Sequence, residues 1–109
     1  MHFQKKESLF GKESDLKLFL IHTGYYDREN SDGFYEQHTN ILIVAKNIVD
    51  ARDKIKKNVE FINKKMHIDG IKEINIIDGY QIKPIKSNEE KMDVKTYTHQ
   101  QIRFLKTSD

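Results

Sequence analysis

Three histidines and two carboxylates carry whatever chemistry this chain can perform. His22, His38 and His67 lie far apart in sequence, and Glu36 and Asp69 stand within two positions of the last two. Neutral imidazole nitrogens and carboxylate oxygens are ligands for a divalent metal, so His22, His38, His67 and Asp69 form a candidate metal set. The same groups can act as general acid and base, because histidine changes charge near neutral pH. A third use needs no chemistry: with Tyr25, Tyr26 and Gln37 they make a polar and aromatic surface that could bind a ligand. The competing reading is structural. A histidine beside a buried strand is commonly a hydrogen-bonded framework residue, and Glu36 and Asp69 are suited to cap turn amides. No H-E-x-x-H, Walker loop or Ser/His/Asp order is present to favour catalysis.

The elements that must position these residues follow from the apolar pattern. Leu16 to Thr23 is a strand apolar on both faces, expected to be central and covered on both sides, and Gly24 is expected to end it. Thr39 to Lys46 is a second strand rich in β-branched residues. The two should pair as a hairpin across a long loop from Gly24 to about Gln37, and long loops tend to be functional or disordered. Asn47 is a helix N-cap with Asp50 behind it, and Ile48, Ala51, Ile55, Val59, Ile62 and Met66 form one stripe of a single amphipathic helix. Phe61 falls about 140° from that stripe, among lysines, and is expected to lie under the arm or tail. Ile71–Ile77 and Tyr80–Ile85 are strands three and four, joined by an Asp78-Gly79 turn, with Pro84 marking an edge or an end.

The expected fold is therefore α+β, a four-stranded mainly antiparallel ββαββ sheet with one helix on a face. A polar arm (1–15) precedes the domain (16–86), and an extension (87–109) that could add a strand, add a short helix or meet a second subunit follows it. Antiparallel strand directions bring the 24–38 loop and the 66–70 turn to one rim. His22, Glu36, His38, His67 and Asp69 should converge there, with Tyr25, Tyr26, Phe34 and Tyr35 overhead.

Composition bounds the rest. The chain has 109 residues, enough for one core and burial of roughly 65% of its unfolded surface. It has no cysteine, which excludes disulfides, thiolate zinc sites and a cysteine nucleophile. No segment has the roughly 20 apolar residues of a membrane span, and a soluble, cytoplasmic protein is expected. Net charge is only +2, so a nucleic-acid role would rest on the basic stretch from Asn47 to Met66 and on Phe61.

Leu18-Phe19-Leu20, Glu36-Gln37-His38, the apolar strand after it, His67-Ile68-Asp69 and Asp78-Gly79-Tyr80 together resemble a bacterial family, domain of unknown function 1543, over about residues 17–83. The resemblance implies that larger members carry the domain twice, which makes a homodimer of this single copy an expectation. It implies no activity. The leading expectation is a non-enzymatic module binding a small ligand or protein at the rim without a cofactor. The alternative is a metal-dependent or histidine acid–base enzyme at the same rim, and nucleic-acid binding ranks third.

Overall fold

The computed structural model describes residues 15–27 and 34–106. The expected N-terminal arm, apart from Asp15, and the tip of the long loop lie outside them. Strand β1 (Lys17–Tyr26) is central in a three-stranded antiparallel sheet of order β2-β1-β3, with β2 spanning Glu36–Ala45 and β3 spanning His67–Ile74. Centrality agrees with its apolar character. The hairpin register runs from Lys17↔Ala45 to Tyr26↔Glu36, so β1 continues through Gly24 instead of ending there. The loop is shorter than expected because the β-prone pair Tyr25-Tyr26 keeps pairing with β2.

The two faces of β1 have different fates. Phe19, Ile21 and Thr23 point toward helix α1 (Ile48–Ile55) and form the core with Ala45, Ala51 and Ile55, all fully buried. Ile41, Ile43, Ile68 and Ile71 pack around it. The Thr23 hydroxyl, buried with them, donates to the Thr39 carbonyl at 3.1 Å. Leu18, Leu20, His22, Gly24 and Tyr26 face the other way. There Leu42 stays 54% exposed and Val44 is exposed too, so the expected second cover is not supplied by the described residues.

The expected single helix is two. Helix α1 begins at Asn47, whose side chain accepts from the Asp50 amide at 2.8 Å, while Asp50 accepts in return from the Lys46 amide at 2.9 Å. It stops at Ile55, and α2 (Val59–Asn63) starts afresh under a second cap, Asn58, which accepts from the Phe61 amide at 3.1 Å. The restart changes the phase of the apolar stripe. Val59 and Ile62 turn outward, whereas Phe61 turns in against the core. Phe61 is thus covered by the core and not by an arm or tail. Along the two helices Asp50–Lys54 (3.8 Å) and Glu60–Lys64 (3.0 Å) pair at i,i+4, while Asp53 meets its neighbour Arg52 at 3.4 Å.

The fourth strand does not join the sheet. Asp78 and Gly79 both take positive φ, 55° and 83°, and turn the chain between β4 (Ile76–Ile77) and β5 (Tyr80–Gln81) as a separate two-stranded ladder. Ile82 donates to the Asn75 carbonyl at 2.8 Å, and Pro84, two residues on, has no N–H to carry the ladder alongside β3. Beyond it the chain is irregular as far as α3 (His99–Arg103), which opens with a Thr98/Gln101 capping box. No helix among the described residues is long and apolar enough to cross a membrane.

Candidate functional site

The open face of the sheet carries the polar residues at one end. Register places His22 opposite Asn40, Gly24 opposite His38 and Tyr26 opposite Glu36 on the β2 side. On the β3 side, His22 lies opposite Gly70 and Gly24 opposite His67. Between those pairs the register slips, passing from His22↔Gly70 to Thr23↔Ile68, so Asp69 is an extra residue in a bulge. The bulge decides the site. In an unbroken ladder Asp69 would sit opposite Thr23 and turn toward the core; as the extra residue it shares the open face with His67. The sequence expectation of a turn at 66–70 followed by a strand from Ile71 is replaced by a strand that starts at His67 and absorbs Asp69-Gly70.

Each carboxylate spans two imidazoles. Glu36 meets His38 Nε2 through Oε1 at 3.2 Å and His67 Nε2 through Oε2 at 2.7 Å. Asp69 meets His38 Nδ1 through Oδ2 at 3.1 Å and His67 Nε2 through Oδ1 at 3.1 Å. His22 stands beside this ring. It stacks on His38, with centroids 5.1 Å apart and planes 9° from parallel, and its Nδ1 lies 2.9 Å from the Asn40 side-chain oxygen. That oxygen can only accept, so the contact is a hydrogen bond in the tautomer with the proton on Nδ1.

Gly24 is the floor. A methyl at this position would sit 2.6 Å from His67 Nε2, 2.8 Å from Asp69 Oδ2 and 2.9 Å from Glu36 Oε2, which means three donor atoms from two strands surround one small space. Metal–nitrogen and metal–oxygen bonds run about 2.0–2.2 Å, so a cation slightly off that point is within reach of all three. Two overlapping sets are close enough to share an ion: Glu36, His67 and Asp69, and His22, His38 and Asp69, with ligand atoms within 4.8 Å of one another in each. All five side chains remain accessible to solvent.

The remaining sequence candidates are not part of the cluster. Tyr25 and Gln37 pair with each other on the opposite face. There the Lys64 ammonium lies 4.8 Å from the Tyr25 ring centre. Its proton is held more firmly than in a free lysine, chiefly by the hydrogen bond to Glu60 and less by Tyr25. Tyr26 shares the open face but is exposed, as are Phe34 and Tyr35, so these aromatics form no roof over the cluster. Gly24 and Asn40 are the functional positions that motif reading passes over. The signal for the bulge was present, since Ile68 and Ile71 are three apart and both pack on the core, which an unbroken strand cannot arrange.

Residues 33–83 match the model of a family described as Domain of Unknown Function (DUF1543). That span holds Glu36, His38, His67 and Asp69, while His22 and Gly24 precede it. No curated protein and no solved structure matches the chain. Over residues 33–83, therefore, slightly under half of its length, this chain is similar to the DUF1543 family.

Proposed function

We propose that the protein is a binding module whose ligand is a divalent transition metal, held on the open face of the sheet by Glu36, His67 and Asp69, with His38 completing the set. The observation that carries this reading is the convergence of His67 Nε2, Asp69 Oδ2 and Glu36 Oε2 on the space that Gly24 leaves open. Mixed imidazole and carboxylate donors suit zinc, iron(II), manganese or nickel better than calcium or magnesium, which take oxygen alone. Asn40 holds the ring of His22, which belongs to the second, overlapping set with His38 and Asp69. Nucleic-acid binding has lost its specific residue, because Phe61 packs against the core.

The test is titration of the metal-stripped chain with zinc, manganese and nickel by calorimetry, with elemental analysis of the product. One ion per chain is expected, and His67→Ala or Asp69→Asn should abolish binding. Dissociation constants all weaker than about 1 mM, only about −4 kcal/mol of binding free energy, would sink the reading.

A further inference from the structure

The helix side of the molecule carries a second feature, which touches the proposed metal site at one residue. A groove of about 480 Å³ lies between α2 and the start of β3, lined by Phe61, Ile62, Met66, His67 and Ile68, with Lys56 and Lys65 beside them. Its volume is in the range of ordinary ligand sites. The lysines distinguish it. Lys54 reaches the Val44 carbonyl at 2.7 Å and Lys64 reaches Glu60 at 3.0 Å, whereas Lys56 and Lys65 have no ion-pair partner among the described residues. The groove is apolar inside and positive at its margin.

The C-terminal extension has the opposite character. Met92 is 82% and Val94 70% exposed, and between and before them stand Asp93, Glu89 and Glu90, also without ion-pair partners among the described residues. Helix α3 follows with Ile102, Phe104 and Leu105 exposed. A helix of five residues cannot sustain itself in water, so this end of the chain is shaped to pack on something. It does not pack on its own groove, whose lining contains nothing beyond Ile68.

We propose that residues 89–94 of one copy dock in the Lys56/Lys65 groove of a second copy, and that the reciprocal exchange joins two chains in a dimer. Acidic side chains at 89, 90 and 93 meet the two free ammonium groups, and Met92 and Val94 enter the space lined by Phe61, Ile62 and Met66. Seven irregular residues, 82–88, separate β5 from the docking segment. They reach up to about 23 Å when extended, which suffices for a partner whose groove lies beside this end of the chain. A two-fold arrangement forms the junction twice.

The experiment uses the full chain in sedimentation equilibrium over a concentration series, with circular dichroism to verify folding. The native protein should reach twice its 12.9 kDa mass. Lys56→Glu/Lys65→Glu reverses the groove and Glu89→Lys/Glu90→Lys reverses the tail; each variant alone should weaken dimerisation by at least about tenfold, because like charges then face each other. An equimolar mixture of the two variants should dimerise again, since each groove then meets a tail of opposite charge. A native chain that stays monomeric overturns the proposal, and so does a dimer indifferent to both reversals. Failure of the mixture to recover overturns it as well. The series is run with a chelator present, because His67 both lines the groove and belongs to the proposed metal set.

Discussion

A glycine governs the candidate site more than any of its ionisable residues does. The three atoms that a Gly24 methyl would displace are the far ends of side chains, so they can swing aside without moving the backbone. Gly24→Ala is therefore expected to leave stability within about 1 kcal/mol of the native chain, a surface-like cost. It should weaken zinc binding by about 10- to 100-fold, the scale of losing a residue that supports a metal site. Urea denaturation without metal checks the first outcome and calorimetry the second; a variant that binds zinc as tightly as the native chain removes Gly24 from the site. The ionisable residues were legible in the sequence, because strand direction alone sends His22, Glu36, His38, His67 and Asp69 toward one end of the sheet. Gly24 was not, because a glycine after an apolar run reads as a terminator, and the space above it exists only once two neighbouring strands contribute their side chains. Tyr25 and Gln37 were misplaced for the same reason: once the strand continues past Gly24, its two-residue period puts them on the far face.

Among the elements, the helical region shows how a local cap overrides a global pattern. Up to Ile55 the three-and-four spacing holds in part, since Ala51 and Ile55 are buried while Ile48, the first of the stripe, is 55% exposed. The segment Lys56-Lys57-Asn58 contains no glycine or proline to announce a break, yet Asn58 restarts the helix by capping the Phe61 amide, and the restart turns Phe61 inward in place of Val59. Phe61→Ala should thus cost about 2 kcal/mol, roughly half the loss expected at a fully buried phenylalanine, since Phe61 is half-buried. Val59 is 71% exposed at the first position of α2, and Val59→Ala should change stability by no more than about 0.5 kcal/mol. Urea midpoints of the two variants at dilute concentration decide between a broken and a continuous helix; a larger loss at Val59 restores the continuous one. The Asp78-Gly79 turn was legible as a hairpin because its positive φ angles demand those residues. Which strands the hairpin would join was not, since that depends on how far the ladder runs before Pro84 ends its supply of donors.

For the molecule as a whole, the candidate site spans all three strands of the sheet. Glu36 and His38 belong to one edge strand, His67 and Asp69 to the other, and both reach across the central strand only because Gly24 keeps the space between them clear. An ion bound there links the two edges directly, in addition to the ladders each makes with β1. Under the proposed reading it would bind the folded chain and find no such arrangement in the unfolded one, so the free energy of binding would add to that of folding. At a free metal concentration 100 times the dissociation constant, the gain is about 2.7 kcal/mol. For a domain of this size each 1 kcal/mol is worth about 4–8 °C, so metal should raise the melting temperature by about 10–20 °C and a chelator should remove that gain. His67→Ala serves as the control: it loses ligands from β3 but keeps the core of Phe19, Ile21 and Ile55, and its melting temperature should be the same with metal as with chelator. A native protein that melts at one temperature in both conditions while calorimetry still records binding would place the metal on a part of the chain that does not join the strands.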